Sequence, residues 1–118
     1  MQIILPKSLV TQHGWPVGPL MAQSAHASTA VIHENYHRPE VQEYLCHLQS
    51  MRKTVLEVPD EAALKDLASK LDTLEPKIPY HLWIEQPENT PTALALMPNK
   101  RPKALKSLLE KSGCQLWR

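Results

Sequence analysis

Apolar and polar positions change their period several times along the chain, and each change predicts an element. Met1 to Leu5 places the branched apolar residues Ile3, Ile4 and Leu5 ahead of Pro6, the pattern of a short strand that a proline closes. A loop with Gly14, Pro16, Gly18 and Pro19 follows. From about Pro19 to Asn35 the chain is rich in Ala and Ser, with Met21, Ala25, Ser28 and Ile32 at helical spacing. Its inward stripe is mostly small, which lets a helix axis approach a sheet closely. Pro39 sits in the first turn of a second helix that carries Val41, Tyr44, Leu45 and Leu48 on one face and ends near Ser50. Arg52 to Val58 then sets Thr54, Leu56 and Val58 against Lys53, Val55 and Glu57, a strand closed by Pro59.

Asp60 is placed to cap a third helix with Leu64, Leu67, Leu71 and Leu74 on one face, reinforced by Glu61 with Lys65 and Asp66 with Lys70 four residues apart. Pro76 and Pro79 stop it. Tyr80 to Glu85 is a β-branched and aromatic strand, QPENTP a polar turn, and Thr92 to Pro98 a strand that pairs with it as a hairpin. Asn99 to Ser112 completes the series as a basic helix with Leu105, Leu108 and Leu109 inward and Gly113 as its C′ residue. The order β-α-α-β-α-β-β-α argues for an α/β fold, a mixed and mostly four-stranded sheet with helices packed on both faces. No repeat or long linker interrupts it, so residues 1–118 are expected to form a single domain.

Composition narrows the function classes. Thirteen Lys and Arg against 12 Asp and Glu leave a net charge of +1, which excludes a general polycation and requires any nucleic-acid site to be a local patch. Cys46 and Cys114 lie outside any C-x-x-C, so neither a disulfide scaffold nor a zinc ribbon is expected. Reduced thiols, a five-residue apolar opening too short for a signal segment and no run near the roughly 18 apolar residues of a membrane span point to a soluble cytoplasmic protein.

Three segments carry a resemblance. AQSAHAS (Ala22 to Ser28) opens the long helix, LEVPDEAAL (Leu56 to Leu64) crosses a strand-to-helix junction, and IEQPENTPTALALMP (Ile84 to Pro98) holds the late hairpin. In this order the chain resembles the type-two peptidyl-tRNA hydrolases of archaea and eukaryotes, and is most similar to their peptidyl-tRNA hydrolase domain-containing branch, in which a QPEN-type turn replaces the usual active-site turn. The resemblance implies hydrolysis of the ester between a peptide and the 3′-terminal ribose of tRNA. It also implies a site of Gln23, His26, Glu85 and Thr92 where strand ends and the start of the long helix converge. Glu85 stands where typical members carry Asp within D-A-G-x-T, and Thr92 matches a family threonine. Glu85 is then the base for water, helix-start N–H groups with Thr92 support the oxyanion, and Gln23 and His26 hold substrate or shuttle a proton. Typical members place G-K-G-K just before the A-Q-x-x-H-A motif, with a functional lysine; this chain has Pro16-Val17-Gly18-Pro19 there. That absence keeps a second reading open, a weakened or inactive tRNA- or protein-binding module on the same fold. Action on a different ester or amide is a third. From spacing alone Gln23 and His26 are the polar face of an Ala-rich helix, Glu85 is as much a solvated carboxylate as a functional one, and Thr92 is a β-former.

Charge adds a hint about partners. From Asn99 to Arg118, Lys100, Arg101, Lys103, Lys106, Lys111 and Arg118 face Glu110 alone, a net of +5, whereas Asp60 to Thr90 carries a net of −4. A basic helix suits tRNA phosphates, so Lys100, Arg101, Lys103 and Lys106, with Asn89 of the turn, are candidate substrate-binding residues. A solvated amphipathic helix with snorkelling lysines explains the same charges. His33 and His37 are four apart, but the sequence fixes no acidic third ligand, so no metal and no cofactor are expected. His13, His47 and His81 read as surface or partly buried singletons, and the two cysteines as core filler and tail. A homodimer is left open.

Overall fold

The computed structural model describes all 118 residues. In chain order the elements are β1 (Gln2–Pro6), α1 (Ser8–Thr11), α2 (Val17–Glu34), α3 (Pro39–Cys46), a 3-10 turn (Leu48–Ser50), β2 (Thr54–Val58), α4 (Glu61–Leu71), β3 (Tyr80–Glu85), β4 (Thr90–Leu96), α5 (Lys103–Lys111) and β5 (Gln115–Leu116). One mixed sheet has the order β3-β4-β1-β2-β5. The β1–β2 pair is parallel and the other three pairs are antiparallel, including the β3–β4 hairpin. The sheet therefore has five strands rather than four. The fifth, Gln115–Leu116, pairs with Glu57 and Leu56, and two residues are too few to carry a period.

Alternation along the central strands divides the core into two layers. Met1, Ile3 and Leu5 share one face with Ala93, Ala95 and Met97, covered by Leu20, Ala27 and Val31 of α2 and Val41 of α3. Ile4, Leu94 and Leu96 face the other way, against Leu64, Leu67 and Leu71 of α4 and Leu105 and Leu109 of α5. The helices thus lie on both faces, as the period-2 strands require. The two layers differ in bulk: on the α2 side Ala27, Ala93 and Ala95 are all fully buried, and these short side chains let α2 lie close on β4.

Element ends follow local chemistry. α2 begins at Val17, two residues before the expected start, because Pro19 falls in the first turn, where backbone N–H groups have no helical acceptor in any case. α1 was not expected; its four residues are too few to show a period, yet Leu9 is buried. α3 ends at Cys46 and gives way to the 3-10 turn, short of the expected Ser50. Asp60 caps α4 by accepting from the Ala63 N–H at 2.9 Å, and the Glu61–Lys65 and Asp66–Lys70 pairs close at 2.9 and 2.7 Å. α5 starts at Lys103 rather than Asn99, because Arg101 is turned to φ +52° and Pro102 is the N-cap; Gly113 ends the helix at φ +76°.

Leu94 is fully buried in the central part of the sheet, so Leu94→Ala is expected to lower unfolding free energy by about 2–5 kcal/mol. Asp60→Ala should cost only about 1 kcal/mol. Urea unfolding of both variants checks the order; equal effects would mean that burial of Leu94 contributes no more than the Asp60 cap.

Candidate active site

The parallel directions of β1, β2 and β3 bring their C-terminal ends, the start of β4 and the first turns of α2 to one edge of the sheet. A β-bulge shapes this edge. Trp83 pairs with Ala93 and Ile84 with Pro91, so Thr92 is the extra residue of β4. Without it Thr92 would share the face of Leu94; the bulge turns it to the α2 face. Pro91 is tolerated inside a central strand because it sits at this interruption.

Gln23, 1% exposed, meets Thr92 there. The Thr92 hydroxyl donates to Gln23 Oε1 at 2.6 Å, and Gln23 Nε2 donates to Glu85 Oε2 at 2.7 Å and to the Pro19 carbonyl at 3.1 Å. These partners fix the orientation of the amide. The Pro19 carbonyl and an ionised Glu85 can only accept, so nitrogen faces them and oxygen takes the hydroxyl proton. The structure thus brings Gln23, Glu85 and Thr92 into one hydrogen-bonded chain, with Thr92 fully buried behind Gln23.

His26, one helical turn beyond Gln23, stacks on Trp83 with ring centroids 4.5 Å apart and planes at 16°. The Trp83 Nε1–H reaches Glu85 Oε1 at 3.4 Å, and the His81 ring lies 6.0 Å from the Trp83 ring. His81 in turn contacts Glu34 through Nδ1 and Oε1. In the sequence Trp83 reads only as part of the aromatic, β-branched strand Tyr80 to Glu85. The available signal was its i−2 position to Glu85, which places both on one face of β3.

The Gln23 amide holds the Glu85 carboxyl below its ordinary value of 4.5; partial burial pushes the other way, and the Trp83 N–H, the Gln86 backbone N–H and the charge of His26 reinforce the lowering. The carboxylate is therefore ionised at neutral pH.

A sequence profile of the family described as peptidyl-tRNA hydrolase PTH2 matches residues 1–110. The chain belongs to the PTH2 family. It is 51% identical over 85 residues to a Homo sapiens protein named "Putative peptidyl-tRNA hydrolase PTRHD1", and 49% identical over 85 residues to the Mus musculus protein of the same name. Each match covers 71% of this chain and 59% of the relative, so the matched part is little more than half the length of those proteins.

The remaining candidate residues of this PTH2 chain are dispersed. Asn89 lies in the exposed turn, at φ +54°, accepting from Gln86 Nε2 at 3.2 Å. The left-handed conformation there suits Asn better than most residues. Lys100, Arg101, Lys103 and Lys106 follow the far end of β4, at the opposite edge of the sheet from Glu85. Asn99 ties this basic segment to β1, donating to Gln2 Oε1 at 2.8 Å and accepting from the Arg101 N–H at 2.9 Å. The family lysine has no substitute at the end of β1: Lys7 Nζ is held on the β2 side by Glu57 at 2.9 Å and lies 4.2 Å from the centre of the Trp117 ring. His33 and His37 are exposed, and no group of three or more His, Cys, Asp or Glu side chains is arranged to hold a metal ion. Cys46 is exposed, and burial pushes the Cys114 thiol up to about 11. No helix is long and apolar enough to cross a membrane.

Gln23→Leu removes the main donor to Glu85, so the carboxyl is expected to titrate higher than in the parent chain, as NMR of the Glu85 side chain would register. A depressed folded-state value stabilises the protein above the unfolded-state value, and that stabilisation is lost as pH falls through the folded-state value. The stability gap between parent and variant, about 1–3 kcal/mol at neutral pH, should therefore narrow on acidification below about 4.5. An unmoved Glu85 titration would contradict this account of the carboxylate.

Proposed function

We propose that this PTH2 chain hydrolyses the ester between a peptide and the 3′-terminal ribose of tRNA, with Glu85 as the group that activates water. The Thr92–Gln23–Glu85 chain, at the edge where strand ends and the start of α2 meet, carries the reading. In it, Glu85 accepts a proton from water as the oxygen adds to the ester carbonyl carbon. The tetrahedral oxyanion then collapses, the carbon–ribose oxygen bond breaks, and the leaving oxygen takes a proton, for which exposed His26 is the nearest shuttle.

Two roles differ from those the resemblance implies. Thr92 is fully buried and its hydroxyl proton faces Gln23, so it is a positioning residue acting through Gln23 rather than an oxyanion donor. Both Gln23 N–H groups already have acceptors, so Gln23 orients Glu85 rather than holding substrate. Oxyanion support then falls to the first N–H groups of α2, at Val17 and Gly18, which precede the first intrahelical donor, Leu20.

The basic segment is proposed to engage phosphates at a distance. Strands rise about 3.3 Å per residue, so Thr92 and Asn99 lie on the order of 20 Å apart. A duplex strand covers that in about six nucleotides. A polynucleotide with its 3′ end at Glu85 that continues past Asn99 and around the end of the sheet would meet Lys103 and Lys106 of α5, which covers the opposite face. The second reading, a binding module without turnover, is favoured by one observation: Pro16 to Pro19 supplies no ammonium beside the ester.

Single-turnover release of peptide from N-blocked aminoacyl-tRNA tests the first reading. Glu85→Gln is expected to lower the rate by about 10²–10⁴; unchanged release would remove Glu85 from the chemistry, and no release by the parent chain with tRNA still bound would favour the module. Replacing Lys103 and Lys106 by Glu should weaken tRNA binding and flatten its log–log salt dependence by about one per lost phosphate contact. An unaltered slope would show that phosphates bind elsewhere.

A further inference from the structure

The His26–Trp83 stack joins the hydrogen-bonded chain from Thr92 to Glu85 only through the Trp83 N–H, 3.4 Å from Glu85 Oε1. His26 is exposed on α2, Trp83 is half-buried on β3, and the near-parallel rings present a flat aromatic surface beside the carboxylate. His81, on the same face of β3, lies beside Trp83 with ring centroids 6.0 Å apart and planes at 41°, and His26 is the exposed member of the stack. β3 is an edge strand with no neighbour beyond it, which leaves the approach to this surface open.

From these observations we propose that His26 and Trp83 form a stacking platform for the 3′-terminal nucleobase of the bound RNA, a proposal that rests on the reading of Glu85 as the ester site. Trp83 and Glu85 are two residues apart on one face of β3, about 6.6 Å. A base stacked on His26 and the ribose of the same nucleotide at Glu85 then occupy neighbouring positions on this face. Stacking on aromatic rings accepts any base and adds affinity without a hydrogen-bond code. An imidazole against an indole is suited to it, since the His26 ring is held flat by Trp83 rather than turning freely in solvent. The platform gives the pair a role beyond the proton transfer assigned to His26 and the Trp83 N–H to Glu85. It also fixes the direction of the substrate, with base on His26, ribose at Glu85 and peptide beyond the Gln86 to Asn89 turn.

The test measures binding alone, so it stands apart from turnover. The probes are a 5′-fluorescein-labelled ACCA ribotetranucleotide with a free 3′-hydroxyl and the same oligonucleotide with an abasic 3′-terminal nucleotide, followed by anisotropy at one fixed salt concentration. The parent chain is expected to bind the complete probe about ten- to a hundredfold more tightly than the abasic one. His26→Ala and Trp83→Leu should each remove most of that difference, while Trp83→Phe, which keeps a flat ring, should retain it. His26→Ala changes an exposed residue and keeps the test valid if Trp83→Leu fails to fold. Equal binding of the two probes by the parent chain would overturn the platform, as would a full difference in His26→Ala. Competition by N-acetyl-phenylalaninamide at low concentration, lost in His26→Ala, would also overturn it, because the surface would then belong to a peptide side chain. Discrimination between the probes in a chain that does not hydrolyse peptidyl-tRNA would defeat the functional reading and leave the platform standing.

Discussion

A primary amide with almost no access to water must find protein partners for its donors and its acceptor, and the Gln23 side chain imposes that constraint on three elements at once. Its oxygen needs the Thr92 hydroxyl from β4, and its nitrogen needs the Glu85 carboxylate from β3 and the Pro19 carbonyl from its own helix. Leaving one buried polar group unpaired costs about 1–3 kcal/mol. The distance between α2 and the sheet is therefore fixed by hydrogen bonding as well as by packing. Ala27, Ala93 and Ala95 make the close approach sterically available. The bulge opposite Trp83 and Ile84 makes it useful, because it aims Thr92 at the helix.

The same arrangement decides what kind of carboxylate Glu85 is. Burial without donors, as in an apolar pocket, raises a carboxyl's pKa. Glu85 lies half-buried at a strand end and accepts from Gln23 and Trp83, so hydrogen bonding outweighs desolvation and the charge is held in place. A base of this type gains orientation and constant ionisation, and gives up proton affinity. The site therefore leans on positioning: the carboxylate has little rotational freedom, and the Gln23 amide that restricts it is itself held by a buried hydroxyl.

How much of this was legible in the sequence depends on whether the signal was local. The alternation through β4 and the leucine spacing of α4 announced the two faces of the sheet, because each side chain's direction follows from its own segment. The bulge did not show, since an extra residue is defined only against the register of the partner strand. Pro91, a proline inside a strand that proved central, was its one trace. β5 was hidden for a related reason: Gln115 and Leu116 are held by pairing with β2, helped by the Trp117 N–H to the Val55 carbonyl, with no preference of their own. The motif residues Gln23, His26, Glu85 and Thr92 were legible as candidates, while the difference between a residue that faces solvent and one that works through a neighbour was not. Burial separates them: His26 is exposed, and Thr92 is sealed beneath Gln23.

The absent lysine becomes easier to place once the charges are mapped on the sheet. Lys7, at the end of β1, is held by Glu57 and the Trp117 ring on the β2 side, away from β3. The cations of the segment from Lys100 to Lys106 gather at the opposite edge, where the Met1 amino group is held below its ordinary value by burial, with the charges of Lys53 and Arg101 adding to the effect. Around Glu85 the one cationic influence is His26. The stretch that lacks the lysine is also where α2 begins, with Pro16 as N-cap and Pro19 in the first turn. Charge that develops beside Glu85 therefore meets the positive end of a helix dipole and an imidazole rather than an ammonium. A dipole end acts within about one turn and is weakened by solvent, whereas an ammonium can follow its partner on a flexible stem. On the reading proposed here, the geometry at the start of α2 has to supply what a mobile charge supplies elsewhere in the family, which makes the fixed spacing between α2 and β3 the property on which the chemistry turns.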